Sequence, residues 1–165
     1  MSINGLVRLS KRFSSILKPR FTLPDLPYPY DALTPVISAR IMHLHHAKHH
    51  ATYVSNLNSA LTAFEESRTK ADIAGMSQAM QSIRFNGGGH LNHSIFWKNL
   101  CPVKEARGEP DGALREAIEK EFEDGWKGMK ASFVRMTAAI QGSGWGWLVR
   151  QRKFRATTGH KEDSD

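Results

Sequence analysis

The sequence predicts a mostly α-helical chain of 165 residues, in which an N-terminal antiparallel helical hairpin precedes a smaller α/β part. Three observations support this prediction. Apolar residues recur at intervals of three and four in four separate segments, which is the spacing of amphipathic helices. Prolines concentrate before the first segment, where they disfavour helix. Glycine alternates with tryptophan after the last segment, as in a β-strand whose large side chains share one face.

The first element is an arm, FTLPDLPYPYDAL (21–33), whose prolines favour an extended backbone over a helix. Thr34 and Pro35 then offer an N-cap and a first-turn proline, so we expect a long helix to begin there. In the later half of this helix an apolar stripe faces the core. It consists of Val54, Leu57, Leu61 and Phe64.

A second helix is predicted over 71–85, and it should pack on the first as an antiparallel hairpin. Its apolar face is formed by Ile73, Met76, Met80 and Ile83. Asn86 and the glycines at 87–89 are expected to end it, because glycine tolerates the left-handed backbone of a sharp turn. A third helix would then carry His90, His93 and Trp97 on one face and stop near Pro102.

Two more helices and a strand are predicted in the last third of the chain. Leu114, Ala117, Ile118 and Phe122 mark the first helix, and Met129, Phe133, Met136 and Ile140 mark the second. The segment 141–148 is expected to be a strand that points Trp145 and Trp147 to one face.

The net charge of +7 belongs to the two ends of the chain. Residues 1–20 carry five basic side chains and no acid, mixed with apolar residues and serines, which predicts a mitochondrial transit peptide with a mature start near Phe21. The middle, 21–148, holds equal numbers of basic and acidic side chains. We therefore expect no nucleic-acid surface on the folded body, and no apolar run is long enough for a membrane span.

The stretch HHAKHHATY (45–53) is the densest candidate site. His45, His49 and Tyr53 are spaced i, i+4, i+8 and drift only about 40° per step around a helix, so they share one stripe. Imidazole suits zinc, copper, iron and nickel, and manganese less selectively, so the spacing does not choose the metal. A zinc site built on the pair His45 and His49, or on His46 and His50, stays an alternative.

Three motifs carry a resemblance to a known family. LHHAKHHATYVSNLN (44–58), FNGGGHLNHSIFW (85–97) and QGSGWGWL (141–148) together resemble the iron/manganese superoxide dismutase family, manganese type. The likeness runs in order from about Phe21 to Leu148. It implies an α+β fold, of which this chain would hold a mostly α portion: a helical hairpin domain at 21–104 and the start of an incomplete α/β C-terminal domain at 105–148.

By motif position, the resemblance assigns His45 and His93 as metal ligands and His49 and Tyr53 as catalytic residues on the proton path and substrate entrance. It also assigns residues around the site, which are Phe85, His90, Trp97 and Trp145. The implied reaction is disproportionation of superoxide in the mitochondrial matrix by a homo-oligomer, a dimer or a tetramer. Iron-type members typically place a glutamine where this chain has Gly89, so the resemblance favours manganese over iron.

After Leu148 the motifs stop, whereas family members continue with further strands, an aspartate ligand and a third histidine ligand. His160 and Asp163 stand in the wrong order and context to be those ligands. Residues 149–165 have the composition of a solvated, disordered tail, which we expect to lie outside the family. The chain is therefore expected to be a C-terminally truncated member. The alternative to an active dismutase is an inactive fragment that lacks these two ligands and acts by pairing with other subunits.

Overall fold

The computed structural model describes residues 21–149, and the chain divides into two compact units between Arg107 and Gly108. Each unit is described by itself. The predicted transit peptide at 1–20, and all but the first residue of the predicted tail at 149–165, lie outside the described residues. Within 21–149 the chain forms helices, turns and irregular segments, and no strand. The prediction of a mostly α-helical chain is therefore confirmed.

The first unit begins its helices later than predicted. Helix α1 spans Ala39–His43, and Ser38 is its N-cap, with the Ser38 hydroxyl accepting from the Ile41 N–H at 3.3 Å. The expected start at Thr34 is wrong because that hydroxyl donates to the Asp31 carbonyl at 2.7 Å and closes a turn instead. Ser38 satisfies a backbone donor that the first helical turn leaves unpaired.

A π-helical segment, Leu44–His50, continues from α1 and leads into helix α2, Ala51–Thr69. The Ala51 N–H contacts the carbonyl of His46, five residues earlier, which is the π-helical pattern. The sequence predicts an unbroken α-helix here. Histidines spaced i and i+4 are compatible with both the α-helical and the π-helical hydrogen-bond pattern, so the spacing does not distinguish the two. Single π turns of this kind often occur at functional sites.

Helix α3 spans Ile73–Phe96 and runs through the glycine triplet without a break. The predicted stop at 86–89 and the separate third helix are therefore wrong. One of the three glycines serves close packing instead, because a Cβ at residue 89 would overlap the ring of Tyr53. A Cβ at residue 87 would make an ordinary contact with Leu57 at 3.6 Å, and one at residue 88 would meet no described atom within 4 Å. The short connection between α2 and α3 makes them an antiparallel hairpin, as predicted.

Hydrogen bonds from residues 21–30 of the arm tie it to the rest of this unit. Asn58 accepts from the Phe21 N–H at 3.0 Å and donates to the Phe21 carbonyl at 2.8 Å. The Tyr28 hydroxyl donates to the carbonyl of Trp97 at 2.8 Å. Beneath the arm lies a core of Leu33, Met42 and Trp97, with Leu26, Tyr28, Tyr30, Ile37, Phe96 and Leu100 packed around it.

The second unit contains helices α4, Gly112–Glu121, and α5, Gly125–Ala138, at the predicted positions. Ile118 and Met129 are its buried apolar side chains among the described residues, while Leu114 and Met136 are more than half exposed. The strand predicted at 141–148 is absent from the described part of the unit, because an extended segment becomes a strand only when a neighbour accepts its backbone hydrogen bonds. Trp145 and Trp147 nevertheless stack on one side, 5.5 Å apart.

None of the helices in the described part of the chain combines the length and the apolar character needed to cross a membrane.

Candidate metal centre

Two imidazoles from different helical segments face each other in the first unit. His45 lies in the π-helical segment and His93 near the end of α3, and their Nε2 atoms are 3.0 Å apart. The rings meet edge to face at a centroid distance of 5.0 Å. His93 is only 2% exposed, and His45 is partly buried. Two ring nitrogens distant in sequence therefore converge on one small region.

A backbone hydrogen bond fixes the tautomer of His93. Its Nδ1 donates to the Gly89 carbonyl at 2.7 Å, and since a carbonyl only accepts, the proton of a neutral His93 resides on Nδ1. Nε2 therefore presents a lone pair toward His45, which is how metal-ligating histidines are commonly held. Two ring nitrogens this close together could bind one ion, and imidazole nitrogen is a donor that transition metals accept. The residues fit a common metal ion.

The electrostatics of the pair also favour metal binding. Burial, reinforced by the neighbouring His93 and His49, lowers the pKa of His45 from 6.5 to about 4. Burial likewise lowers the pKa of His93, although the hydrogen bond to Gly89 opposes the shift. Both rings are therefore neutral near pH 7, and the neutral imidazole is the form that binds a metal.

The two predicted catalytic side chains lie beside this pair. The His49 ring is 5.7 Å from His45 and 5.4 Å from His93, and the Tyr53 ring is 5.2 Å from His49 and 5.3 Å from His93. His49 is exposed and Tyr53 is partly buried, so the group extends from the buried pair to the surface. Phe85 lies at its outer edge, 5.9 Å from Tyr53 and 70% exposed.

A chain of hydrogen bonds next to His45 and His93 contains His50, to which the family motifs assigned no role. The indole N–H of Trp97 donates to His50 Nδ1 at 3.0 Å, and His50 Nε2 lies 2.8 Å from His90 Nδ1. His50 is fully buried, with 0% exposure. Burial, followed by His93, His90 and His46, lowers its pKa to about 3, so the ring is neutral. The sequence signal for His50 was the second i, i+4 histidine pair.

That second pair, His46 and His50, is engaged elsewhere. His46 Nε2 lies 2.8 Å from the Pro24 carbonyl and His46 Nδ1 lies 2.9 Å from the Tyr30 hydroxyl, so the ring ties the arm to the helix. All four nitrogens of the pair thus have hydrogen-bond partners, which argues against a zinc site on His46 and His50.

Of the two tryptophans predicted around the site, one belongs to this unit. Trp97 is 2% exposed and its ring lies 4.9 Å from His45 and 6.0 Å from His93. It follows α3 in a short 3-10 turn, Trp97–Asn99. Trp145 lies in the second unit, and its place beside the metal stays a prediction.

An open cleft of about 540 Å³ borders His45 and His49. Its lining includes Lys48 and, among the described residues, no acidic side chain; the others are Ile41, Leu44 and Thr52. A small anion would meet a positive charge and two imidazoles there. Within 21–149 no group of three or more histidine, cysteine, aspartate or glutamate side chains could hold a metal ion, so an ion bound by His45 and His93 would have two protein donors in the described part of the chain.

Two family models match the chain. The alpha-hairpin domain of iron/manganese superoxide dismutases matches residues 20–101, and the C-terminal domain of the same family matches residues 110–165. The second match includes the segment after Leu148, where the motifs stop. The division of the chain at 104/105 and at 148/149 stays a prediction.

Curated relatives agree with the family models. A mitochondrial manganese superoxide dismutase of Aspergillus fumigatus is 49% identical over 149 residues, covering 87% of this chain and 70% of the relative. A mitochondrial manganese superoxide dismutase of Charybdis feriata is 50% identical over 144 residues, covering 87% and 62%. A manganese superoxide dismutase of Chlamydia muridarum is 50% identical over 130 residues, covering 78% and 63%. The chain thus spans about two thirds of the length of these relatives, and it belongs to the iron/manganese superoxide dismutase family.

Proposed function

We propose that the chain acts as a superoxide dismutase, converting superoxide to dioxygen and hydrogen peroxide at a manganese ion. The observation that carries the proposal is the approach of His45 Nε2 and His93 Nε2 to 3.0 Å, from two segments of the hairpin. The names of the relatives supply the reaction and the metal. The neutral state and the fixed tautomer of the His93 ring support its role as a ligand.

The chain's own residues have separable roles in this proposal. His45 and His93 hold the ion, which when bound supplies one-electron oxidation and reduction of the substrate. Lys48 beside the open cleft attracts the anionic substrate. His49 at the surface and Tyr53 next to it carry groups that donate and accept protons, and they lie in ring contact with the pair. Trp97 covers one side of His45 and excludes water there.

Gly89 supports manganese over iron. The resemblance associates a glutamine at this position with the iron type, and the ring of Tyr53 occupies the space that a side chain at residue 89 would need. An iron-type arrangement would therefore require Tyr53 to move. The lack of a side chain at residue 89 agrees with the manganese that the names of the relatives give.

The location of the chain is inferred from the names of the relatives, and its assembly from the resemblance to the family. Those of Aspergillus fumigatus and Charybdis feriata are named as mitochondrial. We place this chain in mitochondria, in the matrix, and expect a homo-oligomer.

Metal analysis combined with a superoxide-removal assay on the purified chain tests the function. Manganese bound in a one-to-one ratio, with turnover, is the expected result. His45→Gln should abolish both, while the matched variant His43→Gln should retain both, because His43 is exposed and its ring contacts Tyr30 rather than the pair. Tight zinc without turnover, or equal loss in both variants, would contradict the proposal.

A second candidate is a non-enzymatic role in which the chain pairs with other subunits of the family. The observation that favours it is the two-donor character of the site within the described residues. The same measurements separate the two functions. Absence of metal and of turnover, together with co-purification with a complete family subunit on co-expression, would select the second.

A further inference from the structure

We propose that His50 is a positioning residue, which holds the imidazole of His93 in the orientation that points Nε2 at His45. This inference rests on the proposed metal-binding function and deepens it, because it names what fixes one ligand before an ion arrives. His50 itself is not a ligand, since both of its ring nitrogens are hydrogen-bonded to side chains.

The hydrogen bonds determine the tautomer of each ring. The Trp97 indole can only donate, so His50 Nδ1 is the acceptor and carries no proton. The proton of a neutral His50 therefore resides on Nε2 and is donated to His90 Nδ1, which leaves the proton of His90 on Nε2. The Trp97 N–H donor at Nδ1 and the His90 acceptor at Nε2 thus fix the orientation of the His50 ring.

That fixed ring is the surface against which His93 lies. The His50 and His93 rings are stacked, with centroids 5.1 Å apart and planes 20° from parallel. The carbonyl of Gly89 fixes the tautomer of His93 through a single bond to Nδ1. The stacked His50 lies nearly parallel to the His93 ring and limits its tilt about this bond. His49, Tyr53 and Trp97 also contact the His93 ring, at centroid distances of 5.4, 5.3 and 6.0 Å. Among these rings His50 is the one that stacks, and with the bond to Gly89 it directs the lone pair of Nε2.

These hydrogen bonds also explain why a polar side chain, His50, is fully buried at the end of the π-helical segment. An apolar side chain at residue 50 could fill the same volume but would leave the Trp97 N–H and His90 Nδ1 without their partner. A buried polar group without a partner is costly, so the chain of bonds and the stack form one unit.

Nitrogen-15 NMR of the histidine rings in the metal-free full chain provides the direct test. We expect a single tautomer for each ring: the proton on Nε2 for His50 and His90, and on Nδ1 for His93. Cross-relaxation between the His93 and His45 ring protons should be strong. A His50 ring protonated on Nδ1, or a His93 ring protonated on Nε2, would overturn the inference without any variant.

Trp97→Phe removes the indole N–H but keeps an aromatic ring. It should mix the two tautomers of His50 and weaken the cross-relaxation between His93 and His45. The matched control is Tyr28→Phe, which loses the hydrogen bond to the Trp97 carbonyl and leaves the imidazole chain complete. The control should keep the wild-type ring spectrum. Unchanged His93 contacts in a folded Trp97→Phe chain would contradict the inference.

His50→Phe serves where Trp97→Phe does not fold. It preserves a flat ring against His93 but removes both nitrogens, and it should loosen His93 as Trp97→Phe does. A His93 ring as well ordered as in the wild type would show that stacking alone, or Gly89 alone, is sufficient, and would contradict the role of the hydrogen-bonded chain.

Titration with Mn²⁺ alone separates this inference from the proposed function. Where the wild-type chain binds the ion, Trp97→Phe should weaken binding by about 10- to 100-fold, and Tyr28→Phe should not. Failure of the wild-type chain to bind Mn²⁺ would contradict the proposed function. The ring tautomers and contacts would still decide the role of His50.

Discussion

The two units differ in how completely they bury their apolar side chains. In the first unit apolar side chains such as Met42 and Trp97 are buried together with three histidines, and each of those histidines has a hydrogen-bond partner. In the second unit Ile118 and Met129 are the buried apolar side chains among the described residues, while Val134 and Met136 are at least 60% exposed. The comparison teaches that the hairpin supports its site with a core of its own, whereas α4 and α5 form with little burial.

Replacing one tryptophan in each unit should give the largest contrast. Trp97→Ala removes a side chain at the centre of the first core and should lower the free energy of unfolding by about 3–5 kcal/mol. Trp147→Ala should cost about 0.5–1.5 kcal/mol, because Trp147 is 36% exposed and loses chiefly its stack on Trp145. Urea unfolding followed by circular dichroism measures both, and equal losses would contradict the contrast.

Two adjacent glycines of α3 should respond with opposite signs. Gly89→Ala forces a Cβ into the ring of Tyr53 and should destabilise the first unit by about 1–3 kcal/mol. Gly88→Ala meets no described atom within 4 Å and should stabilise the helix by roughly 1 kcal/mol, since alanine is the better helix former. Thermal unfolding of the two variants compares them, and a stabilising Gly89→Ala would show that the helices need not approach so closely.

Acid should weaken the first unit selectively. The pKa of His50 is lowered to about 3 and that of His45 to about 4, so below pH 6.5 the unfolded chain binds more protons than the folded one. Stability is therefore complete above the unfolded pKa of 6.5 and decreases as the pH falls from there through the folded pKa values of about 4 for His45 and about 3 for His50.

Urea midpoints at a series of pH values between about 8 and 5 measure this effect. Residues 108–149 contain no histidine, so the helices of the second unit should not respond between pH 6.5 and 5 beyond the effect of their carboxylates. A first unit that becomes more stable on acidification would disprove the buried neutral state of these rings.

The smallest expected effect concerns the start of α1. Ser38→Ala removes the N-cap hydroxyl and should cost about 0.5–2 kcal/mol. Thr34→Ala, at the cap that the sequence suggested, loses a hydrogen bond in an exposed turn and should cost less. Chemical unfolding of both variants decides which residue caps the helix, and a larger loss at Thr34 would reverse the assignment.

The sequence predicted the hairpin and brought His45, His93, His49 and Tyr53 into one candidate site. The hairpin is confirmed, and the four side chains lie together in the structure, because helical spacing and family motifs depend on local order along the chain. The roles assigned to these side chains stay predictions. The run of α3 through the glycines could not be predicted, since glycine breaks helices by its own propensity and only the contact of Gly89 with Tyr53 explains it here.

Other misses have a similar cause. The π-helical segment Leu44–His50 has no sequence pattern of its own, because the spacing of the histidines is the same as in an α-helix. The role of His50 depends on a donor 47 residues away, on Trp97, which no local motif contains. The tryptophans at 145 and 147 alternate as in a strand, but pairing requires a neighbour that local alternation cannot supply.

The burial of Trp97 gives the chain an optical reporter. Its indole is shielded from solvent and lies 4.9 Å from His45, so its fluorescence should peak at shorter wavelength than that of the more exposed Trp126, Trp145 and Trp147. A paramagnetic ion held by His45 and His93 would quench that emission first. Loading of the centre could then be followed by light alone, without a label.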